Sequence, residues 1–237
     1  LVIRRDKLRN NFTQIVSCCR ACGINVAGVI KGVGGLPEIA RLYKECGAAQ
    51  LATSRLEQIE LWRREGVDGP FLLLRVPGMS ELESLPHLAD YSLQSDVSTL
   101  NALENVCARQ NLTHKVILMA DLGDLREGFW DKAEMIRACC HVEWELPHLV
   151  LAGVGVNLGC YGSIVPTPAN LGQLVDIARA VEEQIGRKLE IVSGGATSSY
   201  PLVHRGVMPA GINHLRIGEA ALLAKDLQVD WGIRDMD

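Results

Sequence analysis

Apolar positions in this chain follow two periods in turn, a helical stripe and then a short continuous run, and the exchange repeats along its length. Leu8, Phe12, Ile15, Val16 and Cys19 form the first stripe, which predicts a helix over Asp6–Cys22. Val26–Gly32 then reads as a buried strand that ends on Lys31 and breaks into a glycine loop. Pro37–Gly47 follows as a helix, Ala48–Thr53 as a strand, Arg55–Glu65 as a helix stopped by Gly66, Phe71–Arg75 as a strand and Ser80–Leu88 as its helix. Further strands fall at Tyr91–Gln94, Lys115–Leu122, Leu149–Asn157, Leu189–Ser193 and His214–Ile217, with helices over Asp96–Gln110, Lys132–His141 and Asn170–Gly186.

Regular alternation of strand and helix implies parallel strands joined by right-handed crossovers, and eight such units close into a TIM-type (β/α)8 barrel of the α/β class. An open doubly wound sheet is the alternative, but no Gly-x-Gly-x-x-Gly follows the first strand. No shift in composition marks a boundary, so residues 1–237 read as a single barrel domain.

A barrel carries its chemistry at the C-terminal ends of its strands. That rule selects Lys31, Arg75, the stretches 121–126, 157–161 and 193–199, and Arg216 with Gly218. Of seven lysines only Lys31 falls in the set, whereas Lys115 begins its strand and faces the opposite end. A desolvated lysine in a barrel mouth is a nucleophile toward carbonyls; the other reading is an ordinary solvated lysine at a strand end. Ser193–Ser199 offers open backbone N–H groups and hydroxyls after the seventh strand, and Gly218 opens a helix after the eighth. Barrels bind phosphate in this place, although a plain glycine turn is the alternative. A nucleophilic lysine opposite a phosphate cup suggests pyridoxal 5'-phosphate (PLP) as the cofactor.

Composition narrows the partners. A formal net charge of −4 with scattered Lys and Arg gives no basic stripe for nucleic acid. No apolar run reaches the roughly 18 residues that span a bilayer, and the first residues lack a signal-peptide core, so a cytoplasmic protein without a membrane partner is expected. The eight cysteines lie mostly in amphipathic or apolar patterns, which predicts reduced thiols. Cys18, Cys19 and Cys22 have the spacing of a metal or redox pair but no second pair or nearby histidine, so they read as small buried hydrophobes, and no metal site is expected.

Five motifs at successive strand ends carry a resemblance. Val29-Ile30-Lys31, the stretch Asp121–Gly128, the stretch Gly155–Gly162, Ser193-Gly194-Gly195 and the stretch Gly211–Ala220 together resemble the barrel domain of the alanine racemase-like PLP enzymes, and within that group the ornithine and lysine racemases. The resemblance implies an amino-acid racemase that interconverts L- and D-forms by removing a Cα proton, with a basic amino acid such as ornithine or lysine as substrate, and a homodimer. It implies that Lys31 holds PLP as a Schiff base and acts as acid and base at Cα, that Arg126 is directed at the phenolic oxygen, and that Arg216 faces the pyridine nitrogen. Gly218 and the Glu219 amide would bind phosphate, with Ser193 in the same loop and Thr197 or Ser198 supplying a hydroxyl, and Asn157 would stand near the ring. Members of the family carry a second, mostly β domain after the barrel that supplies another acid/base; the expectation is that it is absent from this chain, with Cys160, Tyr161 and His214 as in-chain candidates. A PLP carrier or homeostasis protein without turnover is the alternative function, and a lyase or aldolase ranks last.

Overall fold

A computed structural model describes residues 2–159, 164–223, 225–229, 231–233 and 236. In chain order the elements are α1 (Arg5–Ala21), β1 (Asn25–Val29), α2 (Pro37–Glu45), β2 (Gln50–Thr53), α3 (Leu56–Arg64), β3 (Phe71–Leu73), α4 (Leu85–Leu88), β4 (Tyr91–Gln94), α5 (Val97–Gln110), β5 (His114–Ala120), α6 (Lys132–Glu145), β6 (Leu149–Val156), α7 (Pro168–Ile185), β7 (Ile191–Ser193), α8 (Tyr200–His204), β8 (His214–Ile217), α9 (Glu219–Leu222) and α10 (Lys225–Val229). The eight strands run parallel in sequence order and close β8 onto β1, with Ala27 opposite Arg216 and Gly28 opposite Ile217. The fold is the (β/α)8 barrel that the alternation predicts.

The helices start and stop on local chemistry. Asp96 caps α5 by accepting from the Thr99 N–H at 2.8 Å, and Leu100, Leu103, Val106 and Cys107 then recur at helical spacing on its buried face. At α7, Thr167 and Asn170 exchange hydrogen bonds around Pro168, and Gly186 ends the helix in the left-handed conformation. The predicted helix over Ser80–Leu88 is broken in two: a 3-10 turn at Met79–Glu81, then α4. Pro86 explains the break, because its ring would clash with a helical carbonyl four residues earlier and is tolerated only in the first turn of a new helix.

Two apolar cores result. Alternation along the strands sends Ala27, Val29, Ala52, Leu72, Leu93 and Ile117, among others, into the barrel interior, while the opposite faces of the strands pack beneath the helices. One irregularity matters for the site. Between Val116 and Ile117 the β5–β6 register shifts, because β6 holds one extra residue at Ala152. The bulge reverses the direction of the side chains that follow it, so Asn157 points into the barrel rather than out to the helices. At the N-terminal end Lys115 donates to the Tyr91 hydroxyl at 2.9 Å and to Glu190 at 2.8 Å, closing the face opposite the mouth. No helix among the described residues is long and apolar enough to cross a membrane.

Candidate active site

A cavity of about 330 Å³ opens at the C-terminal end of the barrel, within the roughly 300–1,000 Å³ range of small-molecule sites. Lys31, Arg126, Asn157, Thr197, Ser198, Arg216, Gly218 and Glu219 all line it, against apolar walls that include Val29, Leu74 and Leu93. Eight of the nine residues that the resemblance assigns to the cofactor site therefore meet at one mouth. Ser193 is the ninth, and it lies fully buried beneath Arg216 rather than in the lining.

Lys31 sits just beyond the strand rather than on it. The ladder of β1 ends at Val29, Ile30 adds one further hydrogen bond to the Ala52 carbonyl at 2.9 Å, and Lys31 opens a 3-10 turn through Val33. Gly34 and Gly35, both at positive φ, turn the chain back so that the Gly35 N–H reaches the Ile30 carbonyl at 3.1 Å. Lys31 is an exposed residue, so of the two readings of this lysine the barrel by itself gives the solvated one. Arg75, another strand-end cation, is absorbed elsewhere. It grips Glu81 at 2.5 and 2.6 Å and the Ser54 carbonyl at 2.7 Å, latching the loop after β3.

The buried charge of the site is Arg216, 3% exposed. Its guanidinium donates to the Val156 carbonyl at 2.8 Å, to Asn157 Oδ1 at 2.6 Å and to Ser193 Oγ. Gly155 makes room for it, since a Cβ there would lie 3.0 Å from Met119 Sδ and 3.4 Å from Arg216 Nη1. Because Asn157 Oδ1 takes the guanidinium, its amide nitrogen faces the other way and donates to Glu127. Glu127 also lies 3.8 Å from Arg126, the exposed-side cation of the mouth. A carboxylate with only 12% of its side chain exposed was not singled out from sequence; its position beside Arg126 in the stretch after β5 was the available signal.

The loops after β7 and β8 are tied together. Thr197 Oγ1 accepts the Ala220 N–H at 3.1 Å, which leaves the hydroxyl hydrogen of Thr197 to donate into the cavity. Ser198 spends its hydrogen on the Leu158 carbonyl at 2.6 Å. Gly218 packs on β1 so closely that a Cβ would lie 2.9 Å from Val29 Cβ and 3.0 Å from the Val29 carbonyl oxygen. The helix it opens, α9, is a single turn, so this corner contributes backbone N–H groups more than a helix dipole.

Of the in-chain candidates for a second acid/base, Cys160 and Tyr161 lie outside the described residues. His214 lies at the start of β8, fully buried beneath Arg216, and burial together with the nearby Arg216 charge lowers its pKa to about 3. It has no access to the cavity. The seven described cysteines are free thiols; Cys19 is buried in the core with its pKa pushed up to about 12 by burial and the neighbouring Cys18 and Cys22, whereas Cys18 is half-buried and Cys22 exposed, so the expectation of small buried hydrophobes holds for Cys19 alone of the three. Among the described residues no group of three or more His, Cys, Asp or Glu side chains could hold a metal ion.

A parallel eight-stranded barrel whose mouth gathers a post-β1 lysine, a buried arginine on β8 and paired hydroxyl and glycine loops after β7 and β8 defines a class. The chain belongs to the alanine racemase N-terminal domain family, whose model matches residues 3–226. It is 37% identical to a lysine racemase of Thermotoga maritima over 238 residues, 98% of this chain and 65% of that protein. It is 35% identical to an ornithine racemase of Acetoanaerobium sticklandii, over 95% of this chain and 63% of that protein. This chain thus spans less than two thirds of the length of either relative. Among solved structures, a D-threonine aldolase from Filomicrobium marinum superposes with a TM-score of 0.77 at 19% identity, covering 93% of this chain and 61% of that one, which shows the fold alone.

Membership of this family implies PLP binding. The residues present fit that group: a hydroxyl with its hydrogen available and a backbone corner kept clear by Gly218 suit a phosphate, apolar walls suit a flat ring, and a lysine amine stands at the same mouth.

Proposed function

We propose that this chain is the PLP-binding barrel of an amino-acid racemase that acts on a basic amino acid such as lysine or ornithine, working as a homodimer. The observation that carries the reading is the convergence of Lys31, Arg126, Thr197, Arg216 and Gly218 on one cavity. The substrate class rests on the 37% and 35% identity to a lysine and an ornithine racemase.

When bound, PLP supplies the electron-withdrawing system that acidifies the substrate Cα–H. Lys31 would hold the cofactor covalently and would take and return a proton at the substrate Cα on its own side. Thr197 and the N–H groups after Gly218 would bind the phosphate, and Arg126 would direct its charge at the phenolic oxygen. Arg216 would face the pyridine nitrogen. A guanidinium, with a pKa above about 12, keeps its protons, so it does not protonate that nitrogen as a carboxylic acid would. Negative charge developed on proton removal would then stay concentrated at Cα, where reprotonation is quick, and racemisation would be favoured over transamination.

The test is to incubate the purified protein and PLP with L-lysine or L-ornithine in D2O and follow both enantiomers by chiral chromatography and mass. Appearance of the D-isomer with deuterium at Cα supports the racemase. Binding and handing on of PLP to an apo-enzyme, with no Cα exchange, would replace it by a carrier.

A further inference from the structure

Beneath Arg216 a line of hydrogen bonds runs down the barrel interior. Arg216 Nη1 donates to Ser193 Oγ, Ser193 Oγ lies 2.8 Å from His214 Nδ1, and His214 Nε2 lies 3.2 Å from Gln50 Oε1. The three residues below the arginine come from β7, β8 and β2, and each is at most 5% exposed. At that burial the Ser193 hydroxyl and the His214 ring are expected to pair with protein groups, and the partners within reach are each other, Arg216 and Gln50.

The bookkeeping of donors leaves one good solution. Arg216 can only donate, so Ser193 Oγ accepts from it, and the serine hydrogen must go elsewhere. His214 Nδ1 is the atom within reach, which requires that nitrogen to be unprotonated. The ring hydrogen then sits on Nε2 and points at Gln50 Oε1, which can accept it. The other tautomer would present two donors to Ser193 Oγ, strand the serine hydrogen, and leave Nε2 facing a carbonyl oxygen with no hydrogen between them. A protonated ring would strand the serine hydrogen as well, and burial in the barrel interior opposes that charge.

We propose that His214, held as the neutral Nε2–H tautomer by Gln50, is a positioning residue that fixes Arg216 through Ser193. With its own hydrogen given to His214, Ser193 Oγ presents lone pairs to Arg216, so the guanidinium is anchored from below by Ser193 and from the side by Asn157 and Val156. His214 touches neither the cavity nor anything bound in it. The consequence for PLP rests on the reading given under Proposed function; the tautomer does not.

The tautomer is read by 15N NMR of the histidines in the full chain without PLP, assigned with His214→Asn. A protonated Nε2 and a bare Nδ1 from pH 8 to pH 5 are expected; an Nδ1–H tautomer or an imidazolium in that range would overturn the proposal. The action on Arg216 is read by PLP titration and the visible band of the loaded protein. Asparagine places Oδ1 near the position of Nδ1 and keeps an acceptor for Ser193, whereas leucine does not. His214→Leu and Ser193→Ala are each expected to weaken PLP binding about ten-fold and shift the band, His214→Asn to stay within about three-fold of the parent, and the double variant to match either single change, as coupled residues do. A double variant whose loss is the product of the two singles, or a folded His214→Leu that binds PLP within two-fold of the parent, would overturn it. If His214→Leu does not fold, Ser193→Ala combined with His214→Asn replaces it, with the asparagine expected to have no further effect once Ser193 is gone. A parent that binds no PLP would defeat the proposed function while the tautomer measurement still stands or fails independently.

Discussion

Gly218→Ala places a single methyl group at the tightest point of the site. Its Cβ would lie 2.9 Å from Val29 Cβ, 3.0 Å from the Val29 carbonyl oxygen and 3.2 Å from Val29 Cγ1. None of these atoms is the far end of a flexible chain, and β1 is pinned on this side by its register with β8, where Gly28 faces Ile217. Relief has to come from the turn at Gly218–Ala220, whose Ala220 N–H is hydrogen-bonded to Thr197. Overpacking of this kind costs about 1–3 kcal/mol, which for a chain of this size lowers the melting temperature by roughly 2–10 °C. Displacing the turn also moves the backbone N–H groups assigned to phosphate. A loss of about 1–2 kcal/mol in binding is a PLP affinity lower by roughly 5–30-fold. Thr197→Ala removes one hydroxyl and should cost less, about 1 kcal/mol or roughly five-fold. Calorimetric melting and PLP titration by absorbance measure the two quantities separately. A Gly218→Ala protein that melts lower yet binds PLP within two-fold of the parent would show that the phosphate lies elsewhere.

Two further outcomes test the fold. Gly172 lies inside α7 with nothing within 4 Å of an added Cβ, so Gly172→Ala should raise stability by roughly 0.5–1 kcal/mol in denaturant titrations and leave PLP affinity unchanged; a loss of stability would contradict the packing of that helix. Burial holds His114 at a pKa of about 4 and His214 at about 3, whereas both take up a proton near pH 6.5 once unfolded. Between pH 6.5 and 4 the unfolded chain therefore binds more protons, and stability should fall as pH drops, by up to about 1.4 kcal/mol per pH unit for each histidine. Equal denaturation midpoints at pH 7 and pH 5 would refute the burial of both rings.

Local signals made the barrel legible. β4 and β8 fall on the predicted residues, and Asp96 marks the start of α5, because short apolar runs and a capping carboxylate act within a few residues. The strand-tip rule then placed Lys31, Arg126, Asn157 and Arg216 at one mouth without any knowledge of pairing. What stayed hidden depends on register and long-range contact. The extra residue in β6 that turns Asn157 inward is visible only against β5. The Ser193, His214 and Gln50 line joins positions up to 164 apart, and Ser193 read as part of a phosphate loop because its neighbours Gly194 and Gly195 dominate the local pattern. The sequence leaves two readings of Lys31, desolvated or solvated, and its exposure follows from where the 3-10 turn leaves the ladder.

The most direct test of the central claim, that the barrel mouth binds PLP through Lys31, is borohydride reduction of the PLP-loaded protein followed by peptide mass mapping. The account expects a pyridoxyl label on Lys31, and no stable label or visible Schiff-base band in Lys31→Ala. A label on Lys115, at the opposite end of the barrel, or full PLP occupancy with an unchanged spectrum in Lys31→Ala, would contradict it.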